Sequence, residues 1–221
     1  MARSGQILEN PHSGERFTFL ETAADTAGER LLFELEVQPD GRVPGGHVHP
    51  KQQERFDVLG GVLKFRKGLR SVVAGPGDTV IVPPNIYHRF ANVGSEPATV
   101  RVEVRPALRM EQLFETVVAL AHESRTQASG MPKPLDLAVF MHEFQDEVAA
   151  PIAPRLFLAL VAPLAWLGAR HGASLPYRIT EHPSSRAPAP KWPREAKRPG
   201  SRPQPSGRPQ GRGVRASRPG R

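Results

Sequence analysis

The chain has no cysteine, and that one absence removes three kinds of chemistry. No disulfide framework can brace the fold, no thiol can act as a nucleophile, and no thiolate can bind a metal. Any ion must be held by His, Asp or Glu. Long apolar runs are missing too. The start, "MARSGQILENPHSGERF", lacks the apolar stretch of a secretory signal, which predicts a cytoplasmic protein. From Leu156 to Gly168 every residue is apolar, but those 13 positions are interrupted by Pro163 and preceded by Arg155. A spanning helix needs roughly 20 predominantly apolar residues. Acidic residues are lacking at one end only. From His182 onward there are eleven basic residues against the single acid Glu195, although the whole chain of 221 residues has 30 basic and 22 acidic. Residues 1–181 therefore hold 19 and 21, a net charge of −2, and the basic character belongs to the tail.

That tail, from Pro183, is built of Pro, Arg, Gly and Ser and has almost no large apolar side chains to offset its ordering entropy, so it is expected to be disordered. Its charges could neutralise phosphates, but only Trp192 could stack on a base, and nucleic acid is not expected as a partner. Residues 14–105 read differently. "FTFL", "LLFELEV", "GVLKFR", "TVIVPP" and "TVRVEV" are short, rich in β-branched and aromatic residues, and often alternate with period two. Phe33, Leu35 and Val37 would face inward in one strand, and Val100, Val102 and Val104 in another. Turn signals such as Pro39-Asp40-Gly41, Gly60-Gly61 and Gly75-Pro76-Gly77-Asp78 fall between them at spacings that suit hairpins. Many short strands without interleaved helices predict an antiparallel sandwich or barrel.

After Pro106 the period changes to that of helices. Leu108, Leu113, Phe114, Val117 and Ala121 share one helical face, as do Leu135, Ala138, Val139 and Phe144, with "RTQASGMPKP" as the loop between. The third segment, "APRLFLALVAPLAWLGARHG", is apolar nearly all round, which predicts burial against the first two helices or against a second copy. A homodimer is the expected state. Contact of residues 151–170 with a membrane surface is the alternative, because the basic tail would favour anionic lipid. The predicted order is a mainly β domain over residues 1–106, a helical extension of two or three helices over 107–172, and the disordered tail over 183–221.

The chemistry concentrates in "GHVHPKQQE". His47 and His49 are two apart, so in a strand their imidazoles point the same way. Glu54, five positions beyond His49, would face the opposite side of a straight strand. Pro50, which fixes its own φ and cannot donate to a ladder, marks the bend that could bring Glu54 round. Further on, "GDTVIVPPNIYHRFAN" places His88 after a proline-marked turn. Three neutral imidazoles and one carboxylate suit a borderline divalent ion such as iron, manganese, nickel or zinc. An octahedral ion held by four side chains would keep two positions open for a substrate or dioxygen.

Here the residues resemble a known family. Gly41, His47, His49, Glu54 and Gly61 reproduce the spacing of the first cupin motif. Gly77, Pro83, His88 and Asn92 follow the second, with Asn85 where that motif has glycine. Asparagine is among the few residues that tolerate a positive φ, so the turn is expected to survive. The resemblance covers about residues 30–106. It implies a single antiparallel, jelly-roll-like cupin β-barrel with His47, His49, Glu54 and His88 converging inside it on one divalent metal. Phe56 and Phe90, each two residues from a proposed ligand, are the expected walls of a substrate pocket. The expected function is that of a metal-dependent enzyme, dioxygenase-like or isomerase-like, acting on a small organic substrate, with Glu54 also able to exchange protons. The alternative is a non-catalytic barrel that binds or senses a small ligand and whose helices make oligomer or partner contacts. His122 and His142 read as helix-face residues, because Thr126 and Asp146 stand where a zinc-helix motif needs histidine. Arg89, Arg101 and Arg105 read as outward-facing.

Overall fold

A computed structural model describes residues 2–41, 45–151, 154–170 and 175–176. The basic tail lies outside the described residues. Among the described residues nine strands and three helices follow one another: β1 (Ile7–Asn10), β2 (Glu15–Glu21), β3 (Leu31–Val37), β4 (Gln53–Gly60), β5 (Leu63–Lys67), β6 (Arg70–Ala74), β7 (Thr79–Val82), β8 (His88–Asn92), β9 (Ala98–Arg105), α1 (Met110–His122), α2 (Pro134–Glu143) and α3 (Pro154–Arg170).

Alternation drives the strands. In β3, Leu31, Phe33, Leu35 and Val37 are buried while Leu32, Glu34 and Glu36 stay at the surface. β9 does the same with Val100, Val102 and Val104, and the two strands pair antiparallel in register from Leu31–Val104 to Val37–Ala98. The strands make two antiparallel sheets, ordered β1-β2-β3-β9-β4-β7 and β6-β5-β8. The arrangement is jelly-roll-like, two sheets rather than one continuously closed ladder. Phe56 of β4 meets Phe65 of β5 at 5.2 Å and Phe90 of β8 at 5.5 Å between ring centres, so aromatic contacts hold the larger sheet to the smaller. Full burial of such a side chain is worth about 1.5–3 kcal/mol.

The turn at Gly61 shows why a motif glycine is needed. Its φ is +71°, and a Cβ built there would lie 2.5 Å from the Cα of Ala98. Gly61→Ala should lower unfolding stability by roughly 2–4 kcal/mol, adding left-handed strain to overpacking against backbone. A urea melt reads it, and a loss under half a kcal/mol would show that the turn is not what closes β4 onto β5.

β1, β4 and β6 are strands that the sequence pattern did not single out. The helices also differ in detail. Leu108 precedes α1 with φ +48° rather than lying on its face, and Phe144 is the residue that ends α2. A chain that must leave β9 and turn onto a helix cannot be helical at Leu108. Phe144 stays fully buried as the residue beyond the helix. α3 packs on α2, where Val161 and Ala165 meet Ala138. Its outer side is exposed at Leu156, Leu160, Leu164 and Trp166, so burial is one-sided, and Arg170 stacks over the Trp166 ring at 4.1 Å. No helix among the described residues is long and apolar enough to cross a membrane.

Candidate metal centre

The segment before β4 carries two of the histidines and is held from both sides. His47 pairs with His88 through both backbone bonds, 3.1 and 2.9 Å, and so extends the smaller sheet past β8. Val48 pairs in the same way with Ala149, a residue that follows α2. The chain then bends at Pro50 and Lys51, and β4 begins at Gln53. That bend gives Glu54 the inward parity of β4, shared with Phe56 and Val58. Asn85 sits at φ +62°, and its backbone N–H donates to His49 O at 2.8 Å while its side chain donates to Pro50 O. The asparagine keeps the glycine turn and adds a bond across the bend.

His47, His49 and His88 converge, with one ring nitrogen of each within 4.8 Å of the others. Glu54 closes the group. Its Oε2 lies 2.7 Å from His88 Nε2 and 3.3 Å from His49 Nε2. The far ring nitrogens are all engaged: Nδ1 of His47 faces Gly45 O at 3.0 Å, Nδ1 of His88 faces Ile86 O at 3.3 Å, and Nδ1 of His49 faces Glu147 O. A carbonyl can only accept, so each Nδ1 carries the proton and donates it. The three Nε2 lone pairs are then left pointing inward, with His47 Nε2 only 3.2 Å from His49 Nε2. The buried Glu54 Oε2 has no aligned donor. Acceptors crowded together in this way call for a proton or a cation among them, and an N3O donor set is compatible with a borderline divalent ion.

The charges agree with that demand. Burial and the neighbouring His49 and His88 push His47 down to about 3, which keeps it neutral. Burial also disfavours charge on His49, yet the Glu54 carboxylate and the Glu147 carbonyl outweigh it and raise the group. For Glu54 the two imidazoles overcome the burial penalty and hold the carboxyl well below its ordinary range.

The four residues form part of the wall of a cavity of about 400 Å³. Phe56 and Phe90 line it, whereas Leu63 and Phe65 are core. Much of the remaining wall comes from the helical extension: Met110, Phe114, Phe140 and Met131 all face it. The extension also reaches the histidine cluster. Glu147, 2 % exposed, receives the Arg109 backbone N–H and side chain at 3.2 Å and offers its own carbonyl to His49. Arg109 in turn bonds Glu143 at 2.9 Å and lies 5.4 Å from the Phe144 ring centre. Sequence reasoning missed Arg109 and Glu147, since neither stands in the motifs, and it missed Glu15, which also lines the cavity. Arg89 and Arg101 are exposed, and Arg105 pairs with Glu103 at 2.6 Å, so none of the three arginines faces the site. His122 bonds Glu9 O, and His142 is exposed. His171 and His182 lie outside the described residues.

A two-sheet jelly-roll whose interior gathers three histidines and a glutamate is compatible with a metal site. More particularly, residues 33–104 match the family model described as "Cupin domain", and the chain carries a cupin domain over that span. Among solved structures, a predicted oxalate decarboxylase from Thermotoga maritima is 20 % identical, with 48 % of this chain and 98 % of that one covered and a TM-score of 0.41. The polyketide cyclase RemF from Streptomyces resistomycificus is 23 % identical over 48 % and 79 % of the two chains, with a TM-score of 0.40. The cupin domain of Cnp3 from Schizosaccharomyces pombe is 13 % identical over 46 % and 68 %, also with a TM-score of 0.40. Comparison with curated proteins returned no match.

Proposed function

We propose that the protein is a metal-dependent enzyme acting on a small, largely apolar organic substrate. The observation that carries this reading is the set of three inward Nε2 lone pairs and one orphaned carboxylate oxygen at the wall of a cavity of about 400 Å³. His47, His49, Glu54 and His88 would hold the ion, which when bound supplies Lewis-acid or redox chemistry. Glu54 faces His49 and His88, and its carboxylate can also take a proton from a substrate. Phe56 and Phe90 exclude water from the reacting end.

Titration of the chelator-treated protein with cobalt(II) tests this directly. One equivalent should develop visible bands, and azide added afterwards should shift them, because an enzyme site keeps a position open. Bands that azide leaves untouched would mean a closed, structural ion and would favour the non-catalytic ligand-binding reading. No bands at all would exclude a metal centre.

We further propose that the exposed Leu156, Leu160 and Leu164 ridge of α3 pairs two copies of the chain. Sedimentation should find a dimer that Leu160→Glu converts to monomer without loss of the fold. A monomeric wild type that pellets with anionic vesicles would contradict the dimer and leave the ridge to a lipid surface.

A further inference from the structure

Glu15 opens β2 with inward parity. It shares its face with Phe17 and Phe19, and is 7 % exposed where those are 5 % and 0 %. Its ladder partner on β3 is Val37, which itself faces Ala98, and its partner on β1 is the buried Asn10, so the carboxyl has hydrocarbon on one side and an amide side chain on the other. Ser13 Oγ donates to Glu15 Oε2 at 2.6 Å, and among the described residues no cation pairs with it. Burial pushes it up to about 7. A carboxyl buried with one hydroxyl as partner is expensive to keep, and it faces a cavity rather than packed core.

The ladder fixes how far Glu15 is from the metal centre. Glu54 stands opposite Val104, and Glu15 stands at the level of Ala98, six residues further along β9. At about 3.3 Å per residue that is roughly 20 Å of strand, too far for Glu15 to touch atoms at the histidines. The same cavity is lined by both carboxylates, and between them its wall is Phe33, Leu35, Phe56, Val102 and Leu113. Its two carboxylates therefore stand far apart along the ladder, with hydrocarbon side chains in the wall that they share.

We propose that Glu15, set in place by Ser13, is a specificity residue that binds the hydrogen-bond-donating terminus, an amine or a hydroxyl, of an elongated hydrocarbon substrate whose other end lies at the histidines. The position of that other end rests on the metal-centre reading; the anchoring at Glu15 does not. Above about pH 7, where Glu15 is ionised, an amine terminus would pair with the carboxylate charge to charge, a hydroxyl terminus would donate to it, and a carboxylate terminus would be repelled.

Calorimetry of the full chain with n-decylamine, n-decanol and decanoate, before and after metal loading, tests the anchor. Decylamine or decanol should bind the wild type about tenfold or more tightly than decanoate, and whichever of the two is tighter identifies the terminus. Glu15→Gln should weaken the tighter probe by about tenfold and Ser13→Ala by several-fold, each variant still unfolding in one cooperative transition. His88→Ala should lose metal and still bind the probe as the wild type does, which separates failure of the metal reading from failure of this one. Equal affinity for decanoate, unchanged affinity in Glu15→Gln, or no binding by any probe would overturn the proposal.

Discussion

Arg109→Ala is expected to destabilise the protein by roughly 3–5 kcal/mol, and to weaken metal binding by about 10- to 100-fold although Arg109 touches no metal ligand. Its guanidinium is the counter-charge of Glu147, which is 2 % exposed and has no other cation within reach among the described residues. Removing the arginine strands a carboxylate in the interior, where desolvation is no longer compensated. The effect passes to the metal centre through one residue, because the backbone carbonyl of that same Glu147 accepts the Nδ1 proton of His49. A loosened Glu147 frees the ring to turn or change tautomer. Urea melts read the first effect and competition with a chelator the second. Arg101→Ala, which breaks an exposed pair with Glu34, is the control and should cost under about 1 kcal/mol. If Arg109→Ala behaved like that control in both measurements, the helical extension would have no part in the site.

The second large effect is a pH dependence traceable to Glu15. Its carboxyl is raised from 4.5 to about 7 by burial, so the folded chain keeps a proton that the unfolded chain has already released. Between those values the unfolded state binds fewer protons than the native state, and stability must fall as pH rises. The contribution is full below about 4.5, is lost progressively toward 7, and stays lost above it. At 1.36 kcal/mol per unit the swing is on the order of 3 kcal/mol. Glu15→Gln cannot titrate and should remove that slope, so the variant gains on the wild type from pH 5 to pH 8. Parallel slopes for the two proteins would show that Glu15 is ionised in the folded state at acid pH and is not held in an apolar environment.

The contrast between these residues and the motif residues explains what was legible in the sequence. Strands such as β3 and β9 could be read because one face is core and the other solvent, which writes alternation directly into "LLFELEV" and "TVRVEV". The convergence of His47, His49, Glu54 and His88 could be read because their spacing follows local geometry: two residues along an extended segment, a proline-marked bend, and a second turn before His88. Asn85 adopting φ +62° shows that such reasoning survives a substitution when the backbone requirement is understood. β4 was harder, since its inward face starts with a charged residue, Glu54, and alternation there looks broken. Glu15 was hidden for the same reason, a carboxylate at an inward position. Arg109 and Glu147 were invisible because their meaning lies in a contact 38 residues apart, between the start of α1 and the turn after α2. The helices themselves were legible, but helical periodicity does not say which surface they cover. That they wall the cavity through Met110, Phe114 and Phe140 follows from their docking on the barrel. The apolar third helix was read as buried against the first two helices or a second copy; it packs on α2 and sends Phe157 to the cavity wall, while Leu156, Leu160, Leu164 and Trp166 are exposed.

The central claim is that His47, His49, Glu54 and His88 hold one divalent ion. The most direct measurement is the metal content of protein purified without added metal or chelator, wild type beside His88→Ala. Near-stoichiometric metal in the wild type and little in the variant is the predicted result; equal, negligible metal in both would contradict the account.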